Sequence, residues 1–222
     1  MPGLKPENRI AMNSALLLLY LLLLTGAPQQ EKKAATSAAQ SQNCNHVPHI
    51  ALVPMGFSDA AMLNLLQSEI TNFYQARVTI TATVEMPAAA WYAPRNRYRA
   101  DTIIAILARS KQYAAYDKVI AITGKDISTT KGQYPDWGIL GLGFCPGKSC
   151  VVSTRRLKKS ATGTRHLQER TVKVALHELG HTFGIPHCAN SSKCLMRDAG
   201  GTVKSVDAEE KYLCPKCRGM LE

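Results

Sequence analysis

The chain has 222 residues, 45% of them hydrophobic, and a formal net charge of +11 at pH 7. This length and hydrophobic content fit one globular domain with a proper core, which excludes a disordered chain, and no internal repeat is apparent. The positive net charge makes nucleic acid and anionic membranes candidate partners. However, the basic residues are scattered, and no nucleic-acid fold signature accompanies the densest group, at residues 155–159. We therefore expect a solvated basic loop there and no nucleic-acid partner.

The N-terminal segment is typical of an export signal. A basic start is followed by an almost pure leucine run at residues 15–24, and small residues end at Ala27. This apolar run suits a signal peptide and is short for a membrane span. We therefore expect residues 1–27 to direct secretion or periplasmic export, with an uncleaved membrane anchor as the alternative. Residues 28–46 are rich in Gln, Ala, Ser and Lys and are predicted to form a flexible linker.

The folded domain, predicted at residues 47–222, begins with strands and helices in alternation. Apolar runs, period-2 alternation and an amphipathic pattern predict strand, helix, strand, helix and strand at residues 49–54, 58–74, 78–84, 100–110 and 118–123. Ser58 is a candidate N-cap of the first helix. This order implies an α/β (α+β) fold in which helices pack on a mostly parallel sheet.

A metal-binding pattern follows on a helix predicted at about residues 167–183. His177 and His181 are four residues apart, so their rings project from one face of the helix and can bind one ion. Gly184 permits a left-handed turn that can bring His187 back as a third ligand. The fourth zinc position then stays open for water and substrate. Three histidines at this spacing are poorly explained as ordinary core residues.

Four cysteines after this motif predict a second site for metal. Cys188 and Cys194 follow the third histidine, and Cys214 and Cys217 form a C-P-x-C knuckle. The two cysteine pairs together can form a closed, four-cysteine structural zinc site. With the histidine site, we therefore expect two zinc ions per chain. Two disulfides, or free buried thiols, are the alternative.

The other three cysteines are Cys44, Cys145 and Cys150. Export would favour disulfides over thiolate sites. A short-loop disulfide between Cys145 and Cys150 would then be plausible, and an alternative pairs Cys44 with one of them. The sequence does not decide this connectivity.

The run from His177 to Cys217 resembles the archaemetzincins, a family of metzincin-like zinc peptidases. The shared features are the helix motif, the cysteine after the third histidine, Cys194-Leu-Met196 and the closing C-x-x-C, although the gap from Cys188 to Cys194 is one residue longer than the usual form. The resemblance implies a metzincin-like fold with an N-terminal subdomain (47–184) and a small, zinc-stabilised, loop-rich C-terminal subdomain (185–222). It also implies that the catalytic zinc is bound by His177, His181 and His187 and that Glu178 is the catalytic base. Met196 would be the Met-turn residue beneath the zinc site. The structural zinc would be bound by Cys188, Cys194, Cys214 and Cys217.

The resemblance further implies an edge strand above the zinc that binds extended substrate backbone. An unpaired strand edge offers the N–H and C=O groups for this. The apolar, glycine-rich run at residues 138–143 is assigned that role, with Gly138, Ile139, Leu140 and Gly141 as substrate-binding residues. An ordinary sheet strand with bulges at its glycines is the alternative.

These features predict a secreted or periplasmic zinc metallopeptidase, expected to be a monomer, that touches a membrane only through its N-terminal segment. Zinc lowers the pKa of a bound water, and Glu178 takes the proton as hydroxide attacks a peptide carbonyl. One alternative is a zinc-stabilised protein that binds peptides without turnover, although such a protein has no need of Glu178. Another is a basic, nucleic-acid-associated zinc protein, whose binding would depend steeply on salt.

Overall fold

The computed structural model of the protein describes residues 46–198 and 200–221. The predicted signal segment, nearly all of the predicted linker and Cys44 lie outside these residues. Within the part of the chain that the structure describes, no helix combines the length and apolar character needed to cross a membrane.

Strands and helices alternate in the first half of the described chain. The strands are β1 (His49–Pro54), β2 (Arg77–Ile80), β3 (Trp91–Tyr92), β4 (Arg97–Arg99), β5 (Lys118–Thr123), β6 (Ile127–Lys131), β7 (Tyr134–Ile139), β8 (Gly141–Gly143) and β9 (Ser149–Ser153). The α-helices are α1 (Ala60–Tyr74), α2 (Ala100–Arg109), α3 (Thr154–Leu157), α4 (Thr164–Thr182), α5 (Val203–Ala208) and α6 (Pro215–Arg218). Three short 3₁₀ turns lie at Ala88–Ala90, Ala93–Arg95 and Lys111–Tyr113.

The main sheet has the order β2-β1-β5-β9-β8. Its first four strands are parallel, and β8 pairs antiparallel with β9 at the edge. A second, four-stranded sheet has the order β3-β4-β6-β7 and is mostly antiparallel. The predicted α/β class with a mostly parallel main sheet is confirmed. The second sheet was not foreseen, because its strands are short and two of them are bounded by 3₁₀ turns.

Side chains on the main sheet alternate between two cores, as the pleat requires. Ile50 and Leu52 point into the core beneath α1 and α4, whereas Ala51 and Val53 point into the core beneath α2. Helix α4 packs against β8, β9 and α1. The helix that carries the metal-binding motif therefore lies directly over the edge of the main sheet.

The structure places some element boundaries differently from the predictions. The N-cap of α1 is Asp59, not Ser58: its side chain accepts a hydrogen bond from the Met62 N–H at 3.0 Å. A cap must directly precede the first helical residue, and that position belongs to Asp59. The strand predicted at residues 78–84 is regular only over β2, and Val84 returns as an isolated bridge to Met55.

The C-terminal segment is joined to α4 by a bidentate ion pair. The Arg170 guanidinium donates to both carboxylate oxygens of Asp207 on α5, at 2.7 and 2.6 Å. Its remaining nitrogen donates to the carbonyls of Leu157 and Lys159. Only 3% of the Arg170 side chain is exposed. The fork of one arginine thus connects α3, α4 and α5.

Candidate metal centre and active-site cleft

Three imidazoles converge at the C-terminal end of α4. Their ring centroids are 4.6 Å apart for His177 and His181, 4.8 Å for His181 and His187, and 5.4 Å for His177 and His187. One nitrogen of each ring lies within 4.8 Å of the others. The structure therefore brings together the three histidines that the sequence selected, two from adjacent helical turns and one from the turn beyond.

The first two imidazoles are oriented by backbone carbonyls. The Nδ1–H of His177 donates to the Leu195 carbonyl at 2.7 Å, and the Nδ1–H of His181 donates to the Ile185 carbonyl at 2.8 Å. Each bond fixes the tautomer and leaves the Nε2 lone pair free to bind a metal. The third ring, on exposed His187, has its Nδ1 4.0 Å from a carboxylate oxygen of Asp198.

The turn that returns the third histidine depends on Gly184. Its φ is +92°, a conformation that L side chains rarely adopt. The Gly184 N–H donates to the His181 carbonyl, and the Ile185 N–H donates to the Gly180 carbonyl, which closes the helix end. The left-handed turn predicted at this glycine is thus present.

The surroundings keep the paired histidines neutral, which is the form that binds metal. Burial, with the neighbouring His181, lowers the pKa of His177 to about 3. Burial also lowers the pKa of His181. Zinc binds neutral imidazole, so no proton need be displaced near neutral pH. The donor set, its orientation and its charge state therefore fit a zinc ion.

Glu178 lines the cleft with the three imidazoles and packs against the edge of the main sheet. Burial raises the pKa of its carboxyl group to about 8, although the Gly143 N–H favours the charged form. A Cβ on Gly141 would come within 2.6 Å of the Glu178 Cγ. Glycine at this position is therefore a steric requirement, because it lets the strand approach the carboxylate.

The glycine-rich run predicted to bind substrate divides between the two sheets. Its second half is β8, at the edge of the main sheet, and the cleft is lined by Ile139, Leu140, Gly141, Leu142 and Gly143. Gly138 instead lies in β7, paired with Ser128 of β6, and packs beneath the Arg156 side chain. Of the four residues assigned to substrate, the structure therefore brings three to the cleft.

The cleft has a volume of about 490 Å³, within the range of small-ligand sites. Besides the three histidines, Glu178 and the strand, several residues that sequence reasoning did not select line it, including Lys131, Trp137, Val174, Asp198, Val206 and Glu209. These belong to the β6–β7 hairpin, α4 and the C-terminal segment. No local motif marks them, since they meet only through tertiary packing.

The four cysteines form a separate, closed cluster. Their sulfur atoms all lie within 4.8 Å of one another, with the Cys188 and Cys214 Sγ atoms 3.6 Å apart. All four thiols are free, so the alternative of two disulfides is not formed. Backbone N–H groups of Asn190 and Cys214 donate to sulfur atoms of the cluster. Four buried thiols converging at this spacing fit a tetrahedral zinc ion.

Charge accumulation within this cluster is unfavourable without a cation. Burial opposes ionisation of Cys188, but backbone N–H groups and neighbouring thiols lower its pKa to about 7. Burial raises the pKa of both Cys194 and Cys217. A divalent cation at the centre would remove this opposition, because a coordinating thiol is deprotonated.

The other two cysteines among the described residues are not paired with each other. Cys145 is exposed and lines the cleft, whereas Cys150 is buried in β9, and both are free. The short-loop disulfide considered between them is therefore absent.

Met196 is fully buried beneath the histidine cluster. A Cβ on Gly180 would come within 2.5 Å of the Met196 sulfur, so this side chain packs against the helical turn between His177 and His181. The Met196 carbonyl also accepts the Cys188 N–H at 2.7 Å. One residue thus contacts both the helix of the histidine site and the loop of the cysteine cluster.

Sequence comparison relates the chain to known peptidases. The profile of peptidase family M54 matches residues 60–222. An archaemetzincin of Halobacterium salinarum is 33% identical over 176 residues, which are 76% of this chain and 96% of that protein. An archaemetzincin of Natronomonas pharaonis is 33% identical over 180 residues, which are 78% of this chain and 99% of that protein.

Solved structures agree with this relation. The crystal structure of the Archaeoglobus fulgidus archaemetzincin complexed with malonate matches with a TM-score of 0.65 at 26% identity, over 78% of this chain and 99% of that chain. That of the Methanopyrus kandleri archaemetzincin matches with a TM-score of 0.67 at 25% identity, over 82% and 96% of the two chains. The fold inferred from the resemblance is thereby confirmed.

Proposed function

The chain belongs to peptidase family M54, the archaemetzincin family of zinc metallopeptidases, and on that premise we propose that it hydrolyses peptide bonds in the cleft between β8 and α4. The observation that carries this proposal is the convergence of three imidazoles, a buried carboxylate and a strand edge in one cleft. The reaction is proposed to be of the metzincin type.

His177, His181 and His187 would hold the catalytic zinc. Bound there, the ion supplies an acidified water and polarises the substrate carbonyl. The protein contributes the geometry: backbone carbonyls of Leu195 and Ile185 aim the first two rings, and Met196 supports the helix beneath them.

Glu178 is proposed to act as the general base. Its carboxylate lines the cleft beside the imidazoles, so it can take a proton from the attacking water and deliver it to the leaving amine. Close packing against Gly141 of β8 restricts the Glu178 side chain, and the protein around it excludes solvent. A carboxyl group whose affinity for protons is raised by burial is suited to carrying a proton from the attacking water to the leaving amine.

The edge strand β8 is proposed to hold substrate in extended form. Its pairing with β9 leaves the other edge facing the cleft, where backbone groups can bond a peptide chain. Such pairing positions the scissile carbonyl relative to Glu178 without selecting side chains.

A second zinc ion is proposed in the cysteine cluster, with a structural role. Four thiols would fill its coordination sphere and leave no position for substrate. Its effect is to hold the C-terminal segment, which forms one wall of the cleft through Val206 and Glu209. Export through residues 1–27, a cleaved signal and a monomeric state remain predictions.

Mass-spectrometric cleavage profiling of a diverse peptide library tests the proposal. Zinc-loaded parent protein is compared with Glu178→Gln, which preserves the side-chain shape and removes the base. We expect cuts by the parent and a loss of about 10²–10⁴-fold in rate for the variant. An absence of cuts by parent protein whose zinc content is verified would contradict the proposal and favour peptide binding without turnover.

A further inference from the structure

Glu209 presents a buried carboxylate to the active-site cleft. It directly follows α5, where its N–H donates to the Ser205 carbonyl. Only 6% of the residue is exposed, and it lines the cleft together with Val174 and Val206. Among the described residues, its Oε1 atom has no hydrogen-bond partner. An unpartnered polar atom at such burial is costly, so it needs an explanation.

The basic groups near Glu209 do not neutralise it. The Lys173 ammonium donates to the carbonyls of Val206 and Asp207, at 3.1 and 3.4 Å. The Arg197 guanidinium donates to the Ser192 carbonyl at 3.4 Å. Neither cation forms an ion pair with Glu209 within the described chain. Burial raises the pKa of Glu209 to about 7, and the attraction of Lys173 and Arg197 offsets this only in part.

Glu209 lies in the same cleft as the residues proposed to carry out the reaction. Val174 lies on α4 three residues before His177, so the two residues share one face of the helix. Val174 and Glu209 line the same cleft as Glu178 and the imidazoles. A substrate residue next to the scissile bond can therefore reach this end of the cleft while its backbone lies along β8.

We propose that Glu209 binds the ammonium or guanidinium group of a substrate residue beside the scissile bond, so that the enzyme selects cationic residues there. This inference rests on the proposed peptidase function. The carboxylate would accept charge-assisted hydrogen bonds, and the valines would contact the aliphatic stem of a lysine or arginine. The same chemistry could recognise the free N-terminal amine of a short peptide.

Matched peptides test this selection. One N-acetylated peptide series carries lysine, arginine, norleucine or glutamine beside the cleaved bond, and a second norleucine series has a free amine one residue away. For the parent we expect kcat/KM to be about 10-fold or more higher for cationic peptides than for norleucine, because unpaired buried groups discriminate strongly. A preference within the acetylated series identifies the side chain as the cation, and a preference only for the free amine identifies the N-terminus.

The Glu209→Gln variant assigns the preference to this carboxylate. In this variant the ratio of kcat/KM for the lysine peptide to kcat/KM for the norleucine peptide should fall to about 1, and because both rates are measured on the same protein, any general loss of activity cancels from the ratio. Glu210→Gln is the matched control, because Glu210 is exposed and paired with Lys193 at 2.9 Å. Melting temperatures of all variants establish that they are folded.

The outcomes separate this inference from the peptidase assignment. Equal cleavage of cationic and neutral peptides by the parent, or a preference unchanged in Glu209→Gln, overturns the role of Glu209 and leaves the peptidase assignment standing. If no peptide is cut, the peptidase assignment fails. Fluorescence anisotropy of the labelled lysine and norleucine peptides then tests whether Glu209 binds a cationic group. Tighter binding of the lysine peptide that disappears in Glu209→Gln supports the carboxylate site, whereas equal binding overturns it.

Discussion

The backbone of Gly141 in the edge strand packs so closely against the Glu178 side chain that it leaves no room for a Cβ. The strand proposed to hold substrate and the side chain proposed to move the proton are therefore in direct contact. Any displacement of β8 is transmitted to the carboxylate, and substrate held along β8 lies in a fixed relation to it. This contact links the main sheet to the chemistry on α4.

Gly141→Ala should disturb this contact. The added methyl would come within 2.6 Å of the Glu178 Cγ and 2.7 Å of its Oε1, so strand or carboxylate must move. A displacement of this kind can lower kcat by about 10²-fold, while zinc content stays unchanged. Steady-state kinetics and metal analysis measure both. Gly124→Ala is the control, because its nearest neighbour would be 4.0 Å away. Full activity of Gly141→Ala would show that the strand can shift freely.

His181→Ala should remove catalytic metal with little effect on folding. It deletes one of three ligands, so we expect zinc to fall from about two ions to about one per chain and cleavage to be lost. Metal analysis by plasma mass spectrometry measures the change. His46→Ala serves as the control, since His46 is exposed and far along the chain from the cluster. Retention of both ions by His181→Ala would remove this residue from the ligand set.

Cys217→Ser should weaken the C-terminal segment more than the chemistry. Loss of one thiol opens the closed cluster, so the second zinc should dissociate. We expect a loss of more than about 2 kcal/mol in stability, or roughly 5 °C in Tm, for a chain of this size. Calorimetry, zinc content and limited proteolysis measure the effect, with exposed Cys145→Ser as control. Unchanged zinc content and Tm would contradict the structural role.

The Arg170–Asp207 pair should make stability depend on acid pH. Its partner Arg170 lowers the pKa of Asp207 to about 2 from 3.8. Since the folded form holds the proton less tightly than the unfolded form, the stabilisation is present above about pH 4 and is lost as the pH falls towards 2. Because 36% of the Asp207 side chain is exposed, screening limits the contribution to about 1 kcal/mol.

Urea unfolding of the parent and Asp207→Asn tests this dependence. The difference in unfolding free energy should be largest at pH 5 and should shrink between pH 4 and pH 2. Acid-sensitive groups that do not contact Asp207, including the three clustered histidines, are common to both proteins and cancel in the difference, whereas His166 contacts Asp207 and contributes to it. A difference that stays constant over this range would mean that the pair contributes through packing alone.

The histidine cluster and the C-x-x-C pair could be predicted from the sequence because their geometry is largely local. The four-residue spacing of His177 and His181 fixes their common helical face, and Gly184 supplies the turn that returns His187. The C-x-x-C knuckle places Cys214 and Cys217 together for the same reason. In each case, bond geometry over a few residues determines which side chains meet.

The glycine-rich run could be predicted only in part. Its apolar character indicates a strand, but composition does not state which sheet each half joins. The break at Leu140 sends Gly138 into β7 and Gly141 into β8, with different pairing partners. Strand pairing depends on residues distant in sequence, so the division at Leu140 could not be predicted locally.

The sequence alone determined the three-histidine motif, the carboxylate beside it and the alternation of strands and helices, because each depends on periodicity or spacing within a short segment. Only the tertiary structure decided that β8 forms the wall of the cleft and that Glu209 faces it. Glu209 reaches the cleft because α5 is fixed to α4 through Arg170 and Asp207, which are 37 positions apart. Such a contact follows from packing of the whole domain, and no local pattern encodes it.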